Sequence, residues 1–189
     1  MIVETKVLVG FPCSWKDVPT PFAESLANLE RPPNTDIKKF GGYSIIEMRN
    51  VMAQEAVKGG YSHLLMLDAD GAYPRNTLMR LLEHEHRLQN PNSKGVIVGG
   101  LSSGRKKHKV EQSDGETTEK FLIFFFDHLT SEDPYSIQGR MQPPPHGVHP
   151  VVALGGAGVL VPVRRFQEMT EPYFRCVYVR MDGHGVGED

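Results

Sequence analysis

Short apolar runs and amphipathic stretches follow one another through the first half of the chain. The runs at residues 6–10 and 63–67 consist mainly of Val and Leu, and their length predicts buried β-strands. Residues 20–29 and 43–58 place apolar side chains three and four positions apart, which predicts one helix in each stretch. The pattern therefore predicts strand, helix, helix, strand.

The same alternation continues beyond residue 67. A third helix is predicted to begin at residues 74–76, and the apolar residues 96–98 predict the next strand. Strands separated by helices are typical of a largely parallel sheet covered by helices. The 189 residues are enough for one such domain and few for two. The sequence thus predicts a single α/β domain over residues 1–189.

Two polar segments interrupt this pattern in the second half of the chain. Residues 102–119 contain a basic run, and residues 127–150 are rich in proline. Loops of this length inside a compact domain are usually functional, so both segments are predicted to be mobile loops. Between and after them, residues 120–126 are consistent with a strand, and a short helix is predicted over residues 162–169.

Composition narrows the class of protein. Hydrophobic residues make up 39% and charged residues 23% of the chain, as in ordinary soluble domains. The formal net charge of −2 does not indicate nucleic acid as a partner. The two cysteines are too few for a disulfide scaffold, and no apolar run is long enough for a transmembrane segment. We therefore expect a cytoplasmic protein, in the host cytoplasm if a phage encodes it.

Two carboxylates follow the predicted strand at residues 63–67. Asp68 and Asp70 would lie at the carboxyl edge of the sheet, where open α/β sheets bind ligands. Hard oxygen ligands suit Mg²⁺ or Mn²⁺, which one or two carboxylates commonly hold together with substrate phosphates. The alternative is that both aspartates only cap the turn and the following helix. Because two neighbouring acids repel each other unless a cation is present, the sequence favours a metal site.

Five further features occur in order around the two aspartates. They are Gly10, Phe11 and Pro12 after the first strand, Arg49 and Asn50 on the second helix, Tyr73 and Pro74, the Gly-rich residues 155–158, and Gly187, Glu188 and Asp189. Together with Asp68 and Asp70, this order resembles the GT-A glycosyltransferases, particularly compact family-2-like members of phages and prokaryotes. The resemblance implies a Rossmann-like, mostly parallel sheet flanked by helices.

The resemblance also implies an activity and a cofactor. A sugar would be transferred from a nucleoside diphosphate sugar, with UDP or GDP as the nucleotide, and Mn²⁺ or Mg²⁺ would be required. Asp70 would ligate the metal directly, and Asp68 would reach the ribose or a metal-bound water. The acceptor is not identified by the sequence, and nucleic acid stays open as one. Inversion at the anomeric carbon is our expectation.

Further roles follow from the resemblance residue by residue. Phe11 and Pro12 would line the pocket for the nucleotide base, Arg49 and Asn50 would approach the nucleotide or its phosphates, and Gly156 and Ala157 would contact the donor sugar or the acceptor. Glu188 and Asp189 match the acidic pair that includes the general base, with Asp189 preferred. For Arg49, an exposed position on an amphipathic helix is the alternative, and for residues 155–158 it is a tight structural turn.

Family members usually continue beyond the acidic pair, often with a His that completes the metal site, whereas this sequence ends at Asp189. A truncated C-terminus is therefore one interpretation. Another is a non-catalytic module of the GT-A type that binds a nucleotide sugar or a glycan. A phosphatase of the haloacid dehalogenase type, with Asp68 as nucleophile, is less favoured because its motif normally ends the first strand of the fold.

Overall fold

The computed structural model describes residues 5–14, 16–42, 44–89, 95–100, 148 and 158–175, together with the backbone of six further strands between residues 103 and 186. In chain order the elements are β1 (Val7–Pro12), α1 (Thr20–Ala27), β2 (Thr35–Phe40), α2 (Ile45–Lys58), β3 (His63–Met66), α3 (Thr77–Leu88), β4 (Val98–Gly99), β5 (Ser103–Glu111), β6 (Thr117–Ile123), β7 (Phe125–Leu129), β8 (Ile137–Arg140), β9 (Val159–Pro162), α4 (Arg164–Gln167), β10 (Val179–Met181) and β11 (His184–Val186).

Contacts between Cα atoms group the chain into two compact units. The first comprises residues 1–100 and 156–189, and the second comprises residues 101–155. The boundary after residue 100 lies within the single domain that the sequence predicts over residues 1–189. It coincides with the start of the polar segment at which the strand–helix pattern stops.

The first unit contains a five-stranded sheet with the order β2-β1-β3-β9-β4. β1 is parallel to both β2 and β3, whereas β9 is antiparallel to β3 and β4. The prediction of an α/β fold is confirmed, and the sheet is mixed, mostly parallel at its core with β9 running in the opposite direction. The direction of β9 follows from where the chain returns: Val159, at its start, pairs with Met66, at the end of β3.

β2 is absent from the elements that the sequence predicts. It lies at the edge of the sheet, and its exposed Asp36 and Lys39 make it more polar than its neighbours. The preceding prolines indicated only the end of a helix. The signal that could have found β2 is the alternation of Thr35 and Ile37 with Asp36 and Lys38.

Both faces of the sheet are covered by helices. All six residues of β1 are buried, and successive side chains enter opposite cores, as strand geometry requires. Val7 and Val9 pack with residues of α1 and α3, whereas Leu8 packs with residues of α2 and α4. The burial of β3 is equally complete after His63, which confirms the prediction of a central strand. Because β1 and β3 are buried, they fix the positions of the residues that follow each strand at the carboxyl edge of the sheet.

The helix boundaries agree closely with the sequence for α2. The Ser44 hydroxyl accepts a hydrogen bond from the Glu47 backbone N–H at 3.1 Å and caps its first turn. α4 is shorter than the predicted helix over residues 162–169, because Pro162 belongs to β9. No helix among the described residues is both long enough and apolar enough to cross a membrane.

The second unit contains antiparallel strands where the sequence predicts loops. β5 pairs with β6, and β7 pairs with β8. The predicted loops at residues 102–119 and 127–150 therefore contain strand backbone at β5, at the first residues of β6, at most of β7 and at β8. Strand formation depends on side-chain pairing with the neighbouring strand, which the polar, basic composition of each segment does not indicate.

A buried carboxylate lies near the amino end of β3. Glu85 of α3 is 2% exposed, and the Gln89 side-chain amide donates to its two carboxylate oxygens at 2.6 and 2.5 Å. His63 Nε2 and Arg164 Nη2 each lie 3.6 Å from a Glu85 oxygen. Burial lowers the pKa of His63, and the nearby Glu85 opposes this shift only in part. The neutral imidazole is therefore the form that the fold favours.

Acidification is expected to destabilise the protein through His63. Its folded pKa lies below the ordinary value of 6.5, so the unfolded chain binds the proton first as the pH falls. This contribution is absent above the unfolded pKa and grows as the pH drops below it. Urea unfolding at about pH 7.5 and about pH 5.5 should show a larger loss of unfolding free energy for the parent than for a His63→Gln variant. Equal losses in the two proteins would contradict this assignment.

Candidate functional site

The order of the strands reverses at β1, and a ligand-binding crevice is expected at the carboxyl edge of the sheet beside such a reversal. β1 lies between β2 and β3, so the chain passes from β1 to one side and then crosses over it to the other. Ligands of open α/β sheets bind outside the carboxyl ends of the strands at such a reversal. Pro12 ends β1 at this edge, and Asp68 and Asp70 follow β3 there. The topology therefore brings the aspartates to the position where a ligand is expected.

Asp68 begins a tight turn immediately after the strand ladder. The Leu67 N–H still donates to the Gly10 carbonyl at 3.0 Å, and the Gly71 N–H donates to the Asp68 carbonyl at 3.2 Å. Ala69, between the two acids, is buried in the core that β1 shares with α1 and α3. The side chain of Asp68 is half-buried and that of Asp70 is exposed. A small buried residue thus anchors the turn, with one carboxylate on either side of it.

Arg49 approaches the first carboxylate from α2. Its Nη2 atom lies 3.5 Å from Asp68 Oδ1, and the arginine is only 4% exposed. The alternative of an exposed arginine on an amphipathic helix is therefore excluded. Burying a guanidinium without a partner costs free energy, and the nearby Asp68 carboxylate offsets part of that cost. The two carboxylates consequently differ: Asp68 has a protein cation beside it, and Asp70 faces solvent.

The Tyr73 hydroxyl contacts the backbone of the same turn. It accepts a hydrogen bond from the Asp68 N–H at 2.8 Å and donates to the Asp68 carbonyl at 3.3 Å. Burial raises the pKa of Tyr73 to about 12, and the charges of Asp68 and Asp70 act in the same direction. The hydroxyl therefore keeps its proton at neutral pH. Tyr73 was not among the predicted site residues, although it stands in the motif that carries the family resemblance.

Two predicted nucleotide-binding residues take part in the packing of the protein itself. Phe11 is 6% exposed, and its ring packs edge-on against Phe22 with centroids 5.0 Å apart. Asn50 donates through Nδ2 to the carbonyls of Ile46 and Phe174, at 3.0 and 2.8 Å, and accepts from the Phe174 N–H at 3.0 Å. The Asn50 side-chain amide thus links α2 to the backbone of residue 174.

The remaining predicted residues divide into two groups. Pro12 is buried at the end of β1, next to the crevice. Gly156, Ala157, Glu188 and Asp189 lie outside the described residues. Gly158, which follows the first two, has a φ of 68° and accepts a hydrogen bond from the Gly100 N–H at 3.0 Å. Gly158 therefore precedes β9 at the same edge of the sheet as the aspartates.

The acid pair fits a divalent cation that is shared with phosphate groups. Over the residues that the structure describes, no three His, Cys, Asp or Glu side chains come together as a metal-binding group. Mg²⁺ and Mn²⁺ are commonly held by one or two carboxylates, with water and substrate phosphates completing the shell. Of the two carboxylates in the turn, that of Asp70 is the more exposed.

Comparisons with known proteins show a shared fold and match no family. No family model matches the sequence, and no curated protein matches it. Among solved structures, the crystal structure of A197 from STIV matches over 90% of this chain and 72% of that chain, with a TM-score of 0.53 and 12% sequence identity. At this identity the similarity shows a shared fold. The chain is thus an α/β protein with a mixed five-stranded sheet flanked by helices.

Proposed function

We propose that this chain is a metal-dependent glycosyltransferase of the GT-A type, which moves a sugar from a UDP- or GDP-sugar to an acceptor with inversion. The observation that carries the proposal is the acidic turn at the carboxyl end of β3, with Asp70 exposed and Asp68 beside the buried Arg49. The resemblance of the ordered motifs to that family adds the substrate class.

Asp70 would be the direct ligand of Mn²⁺ or Mg²⁺, and Asp68 would act from beside it. When bound, the metal supplies positive charge that stabilises the leaving nucleoside diphosphate. Arg49 lowers the repulsion between the two carboxylates, because its guanidinium offsets the charge of Asp68. The same guanidinium reduces the repulsion that an incoming diphosphate would meet at the crevice.

The resemblance assigns further roles to residues 11 and 12 and to four residues outside the described part of the chain. Pro12, at the end of β1, would border the nucleotide, whereas Phe11 would act only through its backbone because its ring is in the core. Asp189, with Glu188 as the second candidate, would take the proton from the acceptor hydroxyl as it attacks the anomeric carbon. Gly156 and Ala157 would border the sugar or acceptor.

Hydrolysis of the donor tests this proposal without knowledge of the acceptor. Water can replace the acceptor hydroxyl, so slow release of UDP or GDP from UDP-glucose or GDP-mannose is expected when Mn²⁺ is present. Release should stop when EDTA removes the metal and return when Mn²⁺ is restored. Binding of either donor without any release would favour the non-catalytic module. Release that is indifferent to EDTA would contradict the metal-dependent mechanism.

A further inference from the structure

The backbone of Asp68 is held by more hydrogen bonds than the turn alone would provide. Its N–H donates to the Tyr73 hydroxyl at 2.8 Å, and its carbonyl lies 3.3 Å from the same hydroxyl. The carbonyl also accepts the Gly71 N–H at 3.2 Å. A carbonyl oxygen has two lone pairs, so both are used within six residues of chain. One phenol therefore bridges the two peptide groups that flank the Asp68 side chain.

Tyr73 is itself fixed by aromatic packing. Its ring meets the ring of Phe22 edge-on, with centroids 6.2 Å apart, and Phe22 is fully buried. Phe22 in turn packs against Phe11 of β1 at 5.0 Å. The phenol is thus connected to the central strands through a chain of three rings, and its hydroxyl has little freedom to leave Asp68.

Two glycines leave the space that this phenol occupies. A Cβ on Gly71 would lie 3.0 Å from the Tyr73 hydroxyl oxygen and 3.1 Å from the ring carbon that bears it. A Cβ on Gly158 would lie 3.4 Å from a ring carbon, and the φ of 68° at that position already favours glycine. Close packing on two sides therefore accompanies the hydrogen bonds to the turn.

We propose that Tyr73 is a positioning residue for the acidic pair. Its hydroxyl locks the turn over residues 68–71 and so fixes the directions in which the Asp68 and Asp70 carboxylates leave the backbone. The inference rests on the proposed function for the identity of what the carboxylates hold, a divalent cation. Groups that orient metal ligands typically change metal affinity by about 10-fold to 100-fold when removed.

The test compares two tyrosine-to-phenylalanine variants of the full chain. Tyr73→Phe removes the hydroxyl that bonds to the Asp68 backbone and keeps the ring. Tyr61→Phe is the matched control, because Tyr61 is also buried and its hydroxyl donates to Asp36 at 2.5 Å, away from the acidic turn. Tyr73→Phe loses two hydrogen bonds to the Asp68 backbone, and Tyr61→Phe loses one to the Asp36 side chain, so both should melt at a lower temperature than the parent.

Binding of Mn²⁺ alone separates the two variants. Electron paramagnetic resonance gives the dissociation constant and the line shape of bound Mn²⁺, which reports its coordination. Tyr73→Phe is expected to bind Mn²⁺ about 10-fold more weakly and with an altered line shape, whereas Tyr61→Phe should match the parent. Gly71→Ala, which presses on the same hydroxyl, should weaken Mn²⁺ binding in the same direction. Unchanged Mn²⁺ binding in Tyr73→Phe, or equal weakening in Tyr61→Phe, would overturn the proposal.

Amide hydrogen exchange in the metal-free protein separates the failure of this inference from the failure of the proposed function. If the parent binds no Mn²⁺, the metal-dependent function is wrong. The exchange rates at Asp68 and Gly71 then test by themselves whether the Tyr73 hydroxyl holds the turn. If the Tyr73 hydroxyl holds the turn, both amides should exchange at least about 10-fold faster in Tyr73→Phe than in the parent, with no such change in Tyr61→Phe. Exchange rates equal to the parent's would overturn the inference.

Discussion

Replacing Asp70 by Asn is expected to abolish the Mn²⁺-dependent rise in melting temperature that a nucleoside diphosphate produces in the parent. Asp70 is the exposed carboxylate of the turn, and the charge of Asp68 is already offset by Arg49. Asp68 alone should therefore not replace the lost ligand. A nucleotide–metal ligand at 100 times its dissociation constant stabilises the parent by about 2.7 kcal/mol, and a 100-fold weaker site would retain only about 0.4 kcal/mol.

The control for this variant is a charge change of the same size elsewhere. Glu24 is exposed on α1, so Glu24→Gln should keep the full metal-dependent rise. In the absence of ligands, Asp70→Asn should melt close to the parent, because an exposed carboxylate contributes little to the fold. If Asp70→Asn binds the nucleotide with Mn²⁺ as well as the parent does, the assignment of Asp70 as a metal ligand is wrong.

Replacing Asp68 by Ala is expected to cost about 2–3 kcal/mol of unfolding free energy. The change leaves the guanidinium of Arg49, 4% exposed, without its partner carboxylate. Loss of a partner from a fully buried pair typically costs more, about 3–5 kcal/mol. The lower figure is expected here because the Asp68 side chain is 28% exposed and the two atoms are 3.5 Å apart.

A double variant distinguishes the lost ion pair from a general loss of packing. Arg49→Met combined with Asp68→Ala removes both charges and keeps a long apolar side chain at residue 49, so it should recover most of the stability lost in Asp68→Ala. Glu55→Ala serves as the comparison, since the paired Lys38 and Glu55 side chains are 42% and 39% exposed and thus far more solvated than Arg49, and it should change stability little. If the double variant is no more stable than Asp68→Ala, the pairing does not explain the burial of Arg49.

The sequence predicts the centre of the sheet well because burial there is complete on both faces. β1 and β3 are short runs of apolar residues with few alternatives, and α2 carries both a capping serine and a terminal glycine. β2 was missed because an edge strand has one neighbour and tolerates polar residues. The direction of β9 was not predictable, since it depends on where the chain returns after residues 101–155 and not on the composition of the strand.

In the candidate site, too, the sequence predicts what depends on a local pattern and not what depends on tertiary contacts. Asp68 and Asp70 were identified because a buried strand delivers them to one edge. Arg49 and Asn50 are neighbours in sequence, yet one points to Asp68 and the other bonds to Phe174, because successive helix residues are rotated by about 100°. Sequence order alone could not say which of the two reaches the crevice.

Metal-dependent binding of a nucleotide at the acidic turn is measured directly by the melting temperature of the parent with UDP, GDP, CDP and ADP, each with and without Mn²⁺. We expect a rise with UDP or GDP that requires the metal and is lost in Asp70→Asn. The nucleotide that gives the rise would also name the donor class. The absence of a metal-dependent rise with any of the four would contradict the proposal that this acidic turn binds a nucleotide sugar through a divalent cation.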